Sequence, residues 1–136
     1  MEKELVSVIM PTYNGEKFIA ESIDSILNQT YKNLELLITD DNSTSQAFLD
    51  LLDSYAEKDN RIKIFHLDKN YGPGVARNNS IKKAKGRYIA FCDSDDCWVP
   101  KKLEKQIAFL NEKDCALCCS SYFFCDEKNN FLHVQA

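Results

Sequence analysis

Nowhere in this 136-residue sequence does an apolar run approach the ~20 residues that span a bilayer. No secretory leader is expected either, because acids at Glu2 and Glu4 lead straight into a short apolar strand. The chain therefore reads as soluble and cytoplasmic, leaving the inner face of a membrane open to a longer protein. Cations are not in excess: net charge is −4, which gives no broad footprint for nucleic acid. The one basic cluster, Lys82, Lys83, Lys85 and Arg87, falls where a helix is expected to end, and cations there favour the helix dipole. Glycine is scarce, with only four residues, and no G-x-x-x-x-G-K-[ST] occurs, so a P-loop nucleotidase is excluded. No glycine-rich turn follows the first strand, where Pro11-Thr-Tyr-Asn-Gly15 stands instead, and a dinucleotide-binding oxidoreductase fits poorly. Gly72-Pro-Gly74 follows the third strand, and its proline makes it a poor phosphate cradle. His66 and His133 stand alone, and Cys115 and Cys118 form the sole C-x-x-C, in a segment that reads as a strand. Residues three apart on a strand face opposite ways, so zinc is not expected, and the six cysteines read as buried free thiols in a reducing compartment.

What is present is an alternation of short β-rich runs and helical stripes. Strands are expected at Leu5–Met10, Leu34–Thr39, Ile62–Leu67, Tyr88–Cys92 and Ala116–Phe124, with a short final strand at Phe131–Val134 after a turn over Asp126–Asn130. Between them, Ile19, Ile23, Ile26 and Leu27 recur at helical spacing, with Asn14 as a candidate N-cap. Phe48, Leu52, Tyr55 and Ala56 mark a second helix. A third is read over Val75–Lys85 with Gly86 as its C′ residue, and a fourth has Pro100 in its first turn and Leu103, Ile107 and Leu110 as its stripe. The order βαβαβαβαβ predicts an α/β fold with a doubly wound, mostly parallel, Rossmann-like sheet. Residues 1–136 show no repeat, linker or low-complexity stretch, and read as one domain.

Ligands of such sheets bind beyond the carboxyl ends of the strands. Three polar segments fall there: Pro11-Thr-Tyr-Asn14, Asp40-Asp-Asn-Ser43 and Asp93-Ser-Asp-Asp96. The last places three carboxylates within four residues, and like charges so close need compensation. A divalent cation supplies it, since Mg²⁺ and Mn²⁺ prefer oxygen ligands and Mg²⁺ is commonly shared between carboxylates and substrate phosphates. The flanking Cys92 and Cys97 are poor partners for such hard ions. Taken alone, the cluster also reads as a solvated turn capping the next helix. Asp40-Asp41 has a similar double reading, as a helix N-cap or as an acceptor for the ring N–H of uracil, thymine or guanine. Tyr13 offers an aromatic face to a base or ordinary packing, and Arg77 offers a planar clamp for phosphate or an exposed surface cation.

Together these pieces resemble the glycosyltransferase family 2 enzymes, which have a GT-A fold. The resemblance is carried by Val6-Ser-Val-Ile-Met-Pro-Thr-Tyr-Asn-Gly15, Ser25-Ile-Leu-Asn-Gln-Thr-Tyr31, Leu37-Ile-Thr-Asp-Asp-Asn-Ser43, Gly74-Val-Ala-Arg-Asn78, and Tyr88-Ile-Ala-Phe-Cys-Asp-Ser-Asp-Asp96 leading to Trp98, Pro100 and Lys102-Leu-Glu104. It implies a nucleotide-diphosphate sugar donor, most simply UDP-linked, with inversion at the anomeric carbon and a carbohydrate or lipid-linked acceptor in polysaccharide or glycolipid synthesis. It assigns Pro11, Tyr13, Asn14, Asp41, Arg77, Asp93, Ser94 and Asp95 to the nucleotide, and Asp95 and Asp96 to Mn²⁺ or Mg²⁺. Two positions depart from the family pattern: Asn42 stands where glycine is commoner, and Gln46 stands near a position often acidic. The family's catalytic base, which deprotonates the acceptor hydroxyl, is expected beyond Ala136, so this chain is expected to bind donor and metal but to transfer sugar poorly. A metal-dependent sugar nucleotidyltransferase, or a nucleotide-sugar-binding domain without turnover, is the alternative.

Overall fold

A computed structural model describes residues 3–132. Its elements run β1 (Val6–Thr12), α1 (Ile19–Leu27), β2 (Leu34–Asp40), α2 (Gln46–Lys58), β3 (Ile62–His66), α3 (Pro73–Ile81), β4 (Tyr88–Phe91) and α4 (Lys102–Lys113). The strands form one sheet in the order β3-β2-β1-β4. Every neighbouring pair is parallel, with Val6 opposite both Leu34 and Tyr88, and Leu36 opposite Ile62.

One face of the sheet carries the main core, while the other is covered over β1 and β2 but leaves Ile89 and Phe91 of β4 exposed. Side chains alternate along a strand. Val6, Val8 and Met10 of β1 and Leu34, Leu36 and Ile38 of β2 share one core with Ile19, Ile23 and Ile26 of α1, Phe48 and Leu52 of α2, and Leu103 and Ile107 of α4. Burying a side chain such as Phe48 or Leu52 contributes ~1.5–3 kcal/mol. On the opposite face α3 lies against β1 and β2. Its buried Ser80 reaches the Leu37 carbonyl at 3.2 Å and shares a 2.7 Å hydrogen bond with Thr39. The amino ends of the strands are fastened around Glu35, which is 5% exposed. Its carboxylate accepts from Ser7 Oγ (2.6 Å), the Lys85 N–H (2.8 Å) and Lys63 Nζ (3.2 Å). Burial pushes this carboxyl up, but those donors outweigh it and hold it below the ordinary glutamate range.

Several sequence expectations need correction. β1 continues through Pro11 to Thr12 instead of ending at Met10. Proline is tolerated in this inner strand because the β4 ladder stops at Ile9, so the missing N–H falls where no donor is needed. Asn14 is not an N-cap: it takes a left-handed turn, φ 47°, and α1 starts later, after Phe18. Neither Asp40 nor Asp41 caps α2; Ser45 does, accepting the Phe48 N–H at 3.3 Å. α3 begins at Pro73 and is capped at Lys82. Gly86 is therefore no C′ residue but a point of close approach. A Cβ there would lie 2.6 Å from the Ser7 nitrogen and 2.8 Å from the Leu5 carbonyl oxygen. Pro100 precedes α4 and its cap residue Lys101.

No fifth strand forms over Ala116–Phe124. A strand exists only when paired, and among the described residues this segment makes no ladder, leaving Leu117, Tyr122, Phe123 and Phe124 exposed. The turn over Asp126–Asn130 does form, closed by a single antiparallel bridge between Cys125 and Phe131. Of the final strand expected at Phe131–Val134, His133 and Val134 lie outside the described residues. All six thiols are free, but only Cys92 is buried; Cys97, Cys119 and Cys125 are exposed, and Cys115 and Cys118 are intermediate. No helix among the described residues is long and apolar enough to cross a membrane.

Candidate functional site

Because all four strands run one way, the loops after β1, β2 and β4 end on the same rim. They and the start of α3 enclose a cleft of about 630 Å³. Its lining includes Pro11, Tyr13, Asn14, Asp41, Arg77, Asp93, Ser94 and Asp95, every residue that the family resemblance assigns to a nucleotide. Asp96 is not among the lining residues, but its carboxylate joins those of Asp93 and Asp95, with ligand oxygens all within 4.8 Å of one another.

The first two loops are stitched together. Ser43 Oγ accepts the Asn14 N–H at 2.9 Å, and Asn14 Oδ1 accepts the Thr44 N–H at 3.2 Å. Asp41 N–H donates to the Thr12 carbonyl at 2.8 Å. Asn42 sits at φ 63°, a conformation that Asn tolerates better than most residues, so the departure from glycine at this position is accommodated. Gln46, the other departure, opens α2 and donates to Asp50 at 2.9 Å.

The two adjacent aspartates do different work. Asp40 is buried and organises its own loop, with its carboxylate accepting the Ser43 N–H at 3.2 Å, the Ser43 hydroxyl, and a 3.3 Å contact from His66 Nδ1. Asp41 faces the cleft but is only 3% exposed. One oxygen accepts the Tyr71 N–H at 2.7 Å and the other the Gly72 N–H at 2.8 Å. Asp41 thus latches the β3–α3 loop and sets the start of α3, where Gly72 at φ 92° and Pro73 turn the chain into the helix that carries Arg77. Tyr13, 50% exposed at the cleft, keeps an aromatic face available for stacking.

At the acidic turn, Arg77 donates to Asp93 at 2.8 Å, so one of the three carboxylates already has a cationic partner. Asp95 and Asp96 lack such a partner among the described residues. The Asp96 carboxyl is pushed up by partial burial and then by the charges of Asp95 and Asp93. Exposed, clustered carboxylate oxygens are a hard donor set, and they fit Mg²⁺ or Mn²⁺. Cys92 is not part of that set. Burial and the neighbouring acids push its thiol up, keeping it protonated, and it lies 3.5 and 3.6 Å from the Asp93 and Asp96 carbonyl oxygens.

Reading by sequence placed Thr12 on the rim without a role and set Gly72-Pro-Gly74 aside as a poor phosphate cradle, though Gly72 and Pro73 line the cleft, and it missed Gly15, Phe18, Asn70 and Ala76 as lining residues. Gly15 had a findable signal, as a glycine beside a polar rim loop: a Cβ there would sit 2.7 Å from Thr12 Oγ1. Asn70 and Ala76 had none.

The model of the family described as "Glycosyl transferase family 2" matches residues 7–136. The chain is 43% identical over 122 residues to the Escherichia coli UDP-Glc:alpha-D-GlcNAc-diphosphoundecaprenol beta-1,3-glucosyltransferase WfgD, covering 90% of this chain and 47% of that protein. Its fold resembles that of S. aureus TarS 1-349 in complex with UDP, with TM-score 0.72 and 38% identity over 79% of this chain and 32% of that one. It also resembles the mannosyltransferase PcManGT from Pyrobaculum calidifontis in complex with GDP-Man and Mn²⁺, with TM-score 0.73 and 26% identity over 80% and 33% of the two chains. The chain spans about half the length of the curated relatives it matches.

Proposed function

This chain belongs to glycosyltransferase family 2 and has the GT-A fold, and from that premise we propose that it binds the sugar donor of an inverting transferase. The donor is a nucleotide-diphosphate sugar, UDP-linked by preference, and the acceptor is a carbohydrate or lipid-linked hydroxyl at the cytoplasmic face of a membrane. WfgD, whose name gives a UDP-glucose donor and a diphosphoundecaprenol-linked acceptor, supports that choice, as does the UDP complex of TarS. One observation carries the reading: the loops after β1 and β4 and the helix α3, far apart in sequence, bring an exposed aromatic ring, an acidic cluster and a guanidinium to one cleft.

In this reading Tyr13 stacks on the base, while Asp41 offers a free lone pair to the ring N–H of uracil or guanine beside the loop it latches. Pro11, Asn14 and Ser94 complete the nucleotide pocket. Arg77, already at the Asp93 carboxylate, is within the same cleft as the phosphates it would meet. Asp95 and Asp96 would hold the divalent cation, which when bound neutralises the diphosphate and favours its departure. The cleft's three carboxylates are then committed: Asp41 to loop and base, Asp93 to Arg77, Asp95 to the cation. None of these three carboxylates is then free to take the acceptor's proton, a role that falls to another group.

Calorimetric titration with UDP, dTDP, GDP and NAD, each with and without Mn²⁺, tests the proposal. UDP binding should strengthen at least tenfold with Mn²⁺ and lose that gain in Asp95→Ala. Metal-independent NAD binding in preference to UDP would overturn it.

A further inference from the structure

Two polar side chains of α1, and a third just past its C-cap Asn28, are buried or half-buried, which a surface helix does not need. Ser22 and Ser25, three apart, share one side of the helix, Gln29 follows its C-cap and donates back to the Ser25 carbonyl at 3.1 Å, and Ser22 and Gln29 have no exposed surface. Each bonds to main chain at or beyond the acidic turn. Ser22 Oγ donates to the Ser94 carbonyl at 2.9 Å. Ser25 Oγ accepts the Trp98 N–H at 3.1 Å and donates to the Ser22 carbonyl at 2.8 Å, so the two serines act as a pair. Gln29 donates to the Val99 carbonyl at 2.8 Å and accepts the Leu103 N–H at 3.1 Å, and the Thr30 N–H donates to Pro100.

Asp95 and Asp96 are thus suspended between an anchor at Ser94 and an anchor at Trp98. Inside the turn the Asp96 N–H donates to the Asp93 carbonyl at 3.1 Å, the Cys92 thiol reaches the Asp93 and Asp96 carbonyls, and Arg77 pairs with Asp93, which leaves the Asp95 and Asp96 carboxylates repelling each other. Without the anchors on either side, that repulsion would spread the ligand oxygens apart. We propose that α1 is the mount of the acidic turn, and that Ser22, touching neither cation nor nucleotide, is a positioning residue for the divalent cation. The proposal rests on the donor-binding reading above and adds to it the helix that preorganises the ligands.

Mn²⁺ binding to this chain, followed by electron paramagnetic resonance of the free ion, tests it with four variants whose folding is checked by circular dichroism. Ser22→Ala should weaken Mn²⁺ at least fivefold while leaving metal-free UDP affinity, read by NMR titration, within twofold of the parent. Ser7→Ala removes an equally buried hydroxyl at the opposite end of the sheet. It should lower the melting temperature without changing Mn²⁺ affinity. Ser25→Ala, which frees the Trp98 N–H, should repeat the Ser22→Ala result, and decides the matter should Ser22→Ala not fold. Asp95→Ala is the reference for loss of the ion. If Asp95→Ala loses Mn²⁺ while folded Ser22→Ala and Ser25→Ala bind it like the parent, the mount is refuted and the donor reading stands. Equal Mn²⁺ losses in Ser7→Ala and Ser22→Ala would also refute it, as general destabilisation. A parent chain that does not bind Mn²⁺ overturns the cation reading itself, and the mount falls with it.

Discussion

Asp41→Asn separates a residue that only touches ligand from one that builds the site. The two carboxylate oxygens each accept one backbone N–H, at 2.7 Å from Tyr71 and 2.8 Å from Gly72. Asparagine keeps one acceptor and presents an NH₂ to the other N–H, so one charge-assisted bond is lost and the other becomes neutral. Hydrogen bonds to charged groups contribute roughly 1.5–3 kcal/mol. Tyr71 is half exposed and Gly72 is not fully buried, so the lower part of that range applies, about 1.5–2 kcal/mol. For a domain of this size that corresponds to a fall in melting temperature of ~5–8 °C. Hydrogen exchange should locate the effect, with the Tyr71 and Gly72 amides exchanging faster by ~10-fold or more, the factor equivalent to 1.4 kcal/mol. UDP affinity should fall by at least a similar factor, because the loop carries Pro73 and Arg77 to the cleft. Unchanged protection at Tyr71 and Gly72, with UDP binding alone reduced, would refute the latch and leave Asp41 as a base contact only.

Two further outcomes concern the amino ends of the strands. Gly86→Ala forces a Cβ to within 2.6 Å of the Ser7 nitrogen. The backbone must give, so urea denaturation should show a loss of ~1–3 kcal/mol, with UDP affinity of the folded protein unaltered. Glu35 has a folded-state pKa below its unfolded value of about 4.3, so its stabilisation is complete above that pH and is lost as pH falls through the lower folded value. A Glu35→Gln chain should therefore be less stable at neutral pH and show a shallower decline in its urea midpoint between about pH 5 and pH 2.

Much of this architecture could be read from residue order. The strands β1 to β4 announce themselves through runs such as Leu34-Glu-Leu-Leu-Ile-Thr39, and α1 through Ile19, Ile23 and Ile26, because burial periodicity is a local signal. The rim residues were legible because strand ends in a parallel sheet converge by rule. What escaped depended on partners distant in sequence. Asn14 looks like an N-cap, yet its contacts are Ser43 and Thr44, about thirty residues away. Gly86 looks like a helix terminator, but its lack of a side chain answers to Ser7 and Leu5 across the sheet. The apolar run Ala116–Phe124 looks like a strand, and composition cannot say whether an edge is there to receive it. Asp41 was singled out as a base contact, while its bonds to Tyr71 and Gly72 depend on how a loop folds back.

The division between the two ends of the sheet bears on how such a domain can diversify. The fastening around Glu35, Ser7, Lys85 and Gly86 is separated along the strands from the loops that line the cleft. Substitutions at the rim loops can retune which donor is accepted without loosening that clamp, and changes in the clamp can adapt the domain to a new temperature while its ligand is kept. Grafting rim loops from a relative with a different donor onto this scaffold therefore has a natural seam, midway along each strand.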